Sequence, residues 1–395
     1  MSFTVEKKVG SAYPYRAAGS TILAEDTHKL KLVYNKYKTT LTPPTKDTLR
    51  FNLIFCHGTG FNKSIWKYHI KKLYELSQQR GTNWFLDSVM AIDFIGHGDS
   101  SLLNNGLLGP VYRWDEGGKD ITHLIKQEIS STGDFQNNFE SRNIVIGHSM
   151  GGFSTIYAAF HEPTLIDSIV PIEPVYYGEP DRFTKFKKIF NKISQMIIDK
   201  FDSIEDLNYF FKKFSFYKNM TPEIMKDYMD DEVIEEIDPE TNEKVYKIKC
   251  IKRHQMTAYF GSFTSIARGM HVLPTIQVPI YHVIGAKAVW NPPASIPWIR
   301  GNINPKYLAG TFDIPEGEHL CNVEKPDETI DIIAKVLTER NSKYTQERVL
   351  IPEIVKNKDR QVIADEQFSK MFDLKFDDIY GYILDVQDRP AHSKL

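Results

Sequence analysis

Cysteine is scarce in this chain of 395 residues: Cys56, Cys250 and Cys321 stand alone, without the close spacing of a zinc site or a disulfide framework. A reducing or disulfide-indifferent compartment fits, and neither a metal nor another cofactor is expected. An excess of one charge is also lacking. Lys+Arg 49 against Asp+Glu 51 leaves a net charge of −2, so no global field would hold a polyanion, and nucleic acid is not an expected partner. No segment approaches the roughly 20 apolar residues of a membrane-spanning helix, and the stretch from Met1 to Ser20 lacks the apolar run of a secretory signal. The chain is expected to be soluble. Its length suffices for a full hydrophobic core, in one large domain or two of ordinary size, and leaves oligomeric state open.

What is present is an alternation of short β-branched apolar runs with longer helical patterns, which predicts an α/β protein with a mostly parallel sheet covered by helices. Strands are predicted over Lys29 to Tyr34, Phe51 to Cys56, Val89 to Asp93, Asn143 to Gly147, Ser168 to Glu173, Ile280 to Ile284 and Leu308 to Ile314. Helices are predicted near Ser64 to Gln79, Gly118 to Glu128, Met150 to Phe160 and Asp327 to Glu339, as the crossovers that parallel pairing requires.

This regularity breaks between Tyr177 and about Arg268, where strand-like runs vanish and lysine and phenylalanine become frequent. Phe183, Phe186, Phe190, Ile193 and Ile197 recur at helical spacing, with Lys185, Lys187, Lys188 and Lys192 largely off that stripe. A second helix starts at Ser203, with Asp206 three residues on, and carries Leu207, Phe210, Phe211 and Phe214. The reading is a helical cap over residues 177–268, inserted into a core of 28–176 and 269–340. The acidic run from Asp230 to Glu240 reads as a solvated loop. Residues 1–27 read as an N-terminal extension, and 341–395 as a C-terminal extension of helical character.

The chemistry concentrates where Asn143 to Gly147, an apolar strand, runs through Gly147-His148-Ser149-Met150-Gly151 into a helix. A Gly-x-Ser-x-Gly turn between strand and helix strains the serine backbone and pushes the Ser149 hydroxyl out at the top of the sheet. Side chains at Gly147 or Gly151 would meet neighbouring backbone. At the start of a helix, the free amide of Met150 faces the point where negative charge would develop. Cys56-His57-Gly58-Thr59-Gly60 follows an earlier strand, and the amide of Thr59, or less readily Gly60, would be the second oxyanion donor.

Asp93-Phe-Ile-Gly96-His97-Gly98-Asp99-Ser100 follows the next strand. Here the chain resembles the α/β-hydrolase superfamily, which implies the α/β-hydrolase fold and a structural role for this loop rather than a catalytic one for Asp93, His97 or Asp99. A general base should come late, in the order nucleophile, acid, histidine. Of 12 histidines, His319 follows the last strand and precedes a helix, as the family's does. His282 reads as core, and His254 and His271 as insertion or connector residues.

The acid is absent from its usual place. Family members usually carry an aspartate after the penultimate strand, yet no Asp or Glu occurs from Gly285 until Asp313. A minority arrangement takes the acid from the strand after the nucleophile helix, which here ends in Glu173. The resemblance therefore implies Ser149, His319 and Glu173 as the triad, with Asp313 as the alternative acid.

The chain ends in Ser393-Lys394-Leu395, the tripeptide read by the peroxisomal import receptor. Together with the motifs above, it resembles the peroxisomal lipase-like α/β-hydrolases of yeasts. That resemblance implies a lipase or carboxylesterase acting on an acyl ester in the peroxisomal matrix. An acyl-CoA thioesterase, and a binding protein that keeps the fold without turnover, are the alternatives.

Overall fold

The computed structural model describes residues 2–45, 48–179, 181–349 and 360–373. Its strands are β1 Phe3–Ser11, β2 Lys31–Thr39, β3 Arg50–Cys56, β4 Phe85–Asp93, β5 Ser141–His148, β6 Ser168–Ile172, β7 Lys200–Phe201, β8 Val233–Ile237, β9 Lys244–Ile248, β10 Ile280–Gly285 and β11 Leu308–Ile314. Its α-helices are α1 Lys67–Ser77, α2 Gly98–Leu103, α3 Trp114–Thr132, α4 Met150–His161, α5 Arg182–Met196, α6 Ile204–Lys213, α7 Pro222–Glu232, α8 Lys252–Val272, α9 Ser295–Asn302, α10 Cys321–Glu324, α11 Pro326–Val349 and α12 Arg360–Asp373.

Eight strands form one sheet in the order β1-β2-β4-β3-β5-β6-β10-β11. From β4 to β11 every pairing is parallel, and β1 and β2 join antiparallel at one edge. The central strands are apolar on both faces because helices cover both: β3 and β5 are buried along nearly their whole length. The predicted α/β-hydrolase architecture is therefore the observed one, with every foreseen strand present.

The chain divides into two compact units, Met1–Asn341 and Ser342–Leu395. In the second, the described residues are the end of α11 and α12. The terminal Ser393-Lys394-Leu395 lies outside the described residues.

Three expectations need correction. The segment read as an N-terminal extension supplies β1, which pairs with β2 along all nine residues. Its charged, alternating sequence suits an edge strand that turns Val5 and Val9 to solvent. The segment between Tyr177 and Arg268 is not wholly helical, because β7, β9 and β8 form a three-stranded antiparallel sheet.

Nor is the acidic run a solvated loop. Lys244 and Lys247 of β9 pair with Glu235 and Glu236 of β8 at 2.7 Å, so opposite charges stitch the small sheet. Asp231 and Glu232 point inward. Lys63, which has no exposed side-chain surface, binds Asp93, Asp99 and Asp231 at 2.7, 2.9 and 2.8 Å. Beside it, Glu232 accepts from Asn62 Nδ2 at 2.9 Å and from the Cys250 N–H at 2.7 Å. Buried charges of the insertion thus meet the ends of β3 and β4, and the Asp93 to Asp99 loop serves as a structural anchor.

Candidate active site

Between β5 and α4 the chain reverses at Ser149, whose φ of 53° and ψ of −114° lie far from strand and helix alike. A non-glycine residue holds such a conformation only when its surroundings impose it. A Cβ on Gly147 would lie 2.3 Å from the Gly151 carbonyl oxygen, and one on Gly151 would lie 2.4 Å from that of Cys56. The turn is tight enough to exclude any side chain at either position.

Glu173, the residue after β6, also has positive φ, at 46°. Its N–H binds the Val283 carbonyl of β10 at 2.8 Å, so the carboxylate is set between two parallel strands at the same sheet edge as Ser149. His319 arrives from the turn after β11. The His148 Nε2–H donates to the His319 carbonyl at 2.8 Å, which ties that turn to the residue beside the serine.

The three side chains meet in a hydrogen-bonded series. Ser149 Oγ lies 3.0 Å from His319 Nε2, and His319 Nδ1 lies 3.1 Å from Glu173 Oε2. With Glu173 ionised, Nδ1–H donates to the carboxylate and Nε2 is free to accept from the hydroxyl. Glu173 Oε1 accepts the Gly285 N–H at 2.9 Å. The Thr59 hydroxyl donates to Met150 Sδ at 3.5 Å, a contact between the side chains of the two residues whose backbone N–H groups are the expected oxyanion donors.

Burial dominates the electrostatics. Loss of solvent raises the Glu173 carboxyl to about 7, although the Gly285 N–H and the Asn291 amide favour its charged form. Loss of solvent lowers the His319 imidazolium to about 3, which keeps the ring neutral and able to accept a proton. His148 is likewise held neutral, chiefly by burial and secondarily by the neighbouring His319.

Asp313, the alternative acid, does not reach the site: it pairs with Arg300 at 2.5 Å near the surface. Asp167 sits at the other end of β6, held by Arg340 at 2.8 and 2.9 Å. His282 is buried and accepts from Arg300.

A sequence profile of the alpha/beta hydrolase family matches residues 53–332. The chain belongs to the alpha/beta hydrolase family. Peroxisomal membrane protein LPX1 of Saccharomyces cerevisiae is 27% identical to this hydrolase over 387 residues, or 95% of each chain. The solved structure of the peroxisomal alpha-beta-hydrolase Lpx1 from that yeast matches it with a TM-score of 0.78 and 25% identity, covering 94% of this chain and 98% of that one. E-2-(acetamidomethylene)succinate hydrolase shares the fold, with a TM-score of 0.56 and 15% identity over 77% of this chain and 94% of that one.

Three residues of the hydrolase's site escaped the reading of the sequence. Asn291 donates to Glu173 Oε2 at 3.2 Å. The Trp290 ring stacks on the His319 imidazole, with centroids 5.3 Å apart and planes at 19°. His148 holds the His319 turn, as described above. Asn291 occupies the stretch singled out for its lack of acids, but an amide there carries no signal without the fold that delivers Glu173 to it.

Proposed function

We propose that this alpha/beta hydrolase cleaves acyl esters through an acyl-enzyme intermediate, with Ser149 as nucleophile, His319 as general base and Glu173 as the acid. The observation that carries this reading is the unbroken series from Ser149 Oγ through His319 to Glu173, at 3.0 and 3.1 Å. Ser149 attacks the carbonyl carbon while Nε2 takes its proton, and Glu173 stabilises the resulting imidazolium. The oxyanion is received by the backbone N–H groups of Thr59 and Met150. His319 then returns its proton to the alkoxy oxygen as the ester C–O bond breaks. Water, deprotonated by the same imidazole, attacks the acyl-enzyme and restores the Ser149 hydroxyl.

The place of action proposed is the peroxisome, through import by way of Ser393-Lys394-Leu395. The similarity to Lpx1 of Saccharomyces cerevisiae, a peroxisomal protein, supports it. Among the described residues, no helix is long and apolar enough to cross a membrane.

A panel of para-nitrophenyl esters of graded acyl length, run beside acyl-CoA thioesters, tests the reaction class. Ester turnover that vanishes in Ser149→Ala is the expected outcome. Turnover of thioesters alone would replace the ester assignment, and ester turnover retained by the alanine variant would remove it.

A further inference from the structure

We infer that Asn291 is a positioning residue whose side-chain amide holds the Glu173 carboxylate on His319 Nδ1, beneath a lid formed by Trp290. This rests on the reading of Ser149, His319 and Glu173 as the proton relay.

The segment 286–294, between β10 and α9, contains no acid and so brings no charge of that sign to the site. It brings one amide and one indole. Asn291 Nδ2 contacts Oε2, the same Glu173 oxygen that faces His319, at 3.2 Å against 3.1 Å for the imidazole. With the Gly285 N–H on Oε1, the carboxylate has three donors, and two of them come from β10 and the loop it enters. The backbone of Glu173 is itself held at positive φ, and those donors hold its carboxylate.

The same loop is laced to the turn that carries His319. The Ala286 N–H binds the Ile314 carbonyl at 3.0 Å and the Lys287 N–H binds that of Gly317 at 2.9 Å. Trp290 covers the imidazole and meets the edge of Phe216 from the insertion, with centroids 6.2 Å apart. Removing the amide would leave Oε2 with only the imidazole to hold it.

Few groups here titrate near neutrality. Glu173 faces His319 and the Cys321 thiol, which burial keeps protonated. His319 faces His148, held neutral by burial. Lys287 and Glu316 pair at 3.5 Å on the exposed outside of the loop. A protonation step near neutral pH therefore belongs to the Glu173–His319 pair.

The test is the rate of Ser149 modification by a fluorophosphonate as a function of pH, for the full-length protein and for Asn291→Leu and Asn291→Ala. Leucine keeps the volume and removes the donor, while alanine also removes it and is a smaller replacement that a loop accepts if leucine misfolds. Loss of a donor to the ionised form raises the carboxyl pKa, so the acid limb of the rate should move up by roughly one pH unit in either variant. A limb that stays in place while only the plateau rate falls would overturn the positioning role and leave Ser149 as nucleophile. A wild-type protein that never reacts at Ser149 would overturn both.

Discussion

Glu173 bears two unfavourable features at once: a positive φ and burial of a carboxylate to 1% exposure. The fold favours its neutral form, while the relay needs its charged form. Below the ordinary carboxyl value of 4.5 the group is protonated folded or unfolded and costs nothing; the cost grows as pH rises and is complete above about 7. Glu173→Gln should therefore raise the unfolding free energy relative to wild type at pH 8, by up to roughly 3 kcal/mol, with the difference fading by pH 4. Thermal unfolding of the two proteins across that range checks this. The same substitution should lower kcat by on the order of 10³–10⁴-fold, since glutamine cannot stabilise the imidazolium. In the wild type, kcat/KM should fall as pH drops through about 7, where the carboxylate takes up its proton; a rate flat from pH 8 to 5 would contradict this. Ser149 and His319 were legible because a strand-turn-helix and a late loop histidine leave marks in local sequence. Asn291 and Trp290 were not, because an amide and an indole in a loop carry no signal until the fold brings Glu173 and His319 to them.

Among the elements, the charged anchor around Lys63 decides how the insertion is held. Its ammonium faces three carboxylates, and charge attraction outweighs burial enough to keep it protonated. Lys63→Ala would strand buried Asp93 and its neighbours without a counter-charge, and should destabilise the fold by about 3–5 kcal/mol. Denaturant unfolding measures this, and a loss under 1 kcal/mol would show that the cluster is solvated. This anchor was invisible in the sequence, where Asp231 and Glu232 looked like members of a solvated acidic run. Helix α8, most of it inside the expected helical cap, was not singled out for a different reason. It packs through small residues, Ala258, Gly261, Ser262, Ser265 and Gly269, which carry no apolar periodicity. A Cβ on Gly261 would lie 1.7 Å from the Tyr112 carbonyl oxygen, so close approach rather than a hydrophobic stripe sets its place. By contrast, α6 was legible through its cap: Ser203 Oγ accepts from the Asp206 N–H at 3.0 Å, as its spacing predicted.

At the scale of the whole molecule, parallel strands alternating with helices placed the chain in its fold class, because fully buried strands are continuously apolar and their crossovers are long. The edges were less readable, since β1 and the strands of the small β7-β9-β8 sheet mix charged with apolar residues and form no continuous apolar run. The proposed compartment has its own check. A fluorescent protein fused ahead of Met1 should collect in peroxisomes in a yeast cell, and removal of Ser393 to Leu395 should leave it in the cytosol. Unchanged peroxisomal accumulation after that removal would assign import to another part of the chain.

The central claim, an activated serine at the strand-helix turn, is tested most directly by mass spectrometry of the intact protein after exposure to a fluorophosphonate. One adduct per chain, mapped to Ser149, absent in Ser149→Ala and strongly slowed in His319→Ala, is the predicted result. An unmodified wild type, or equal modification of the alanine variant at position 149, would contradict it.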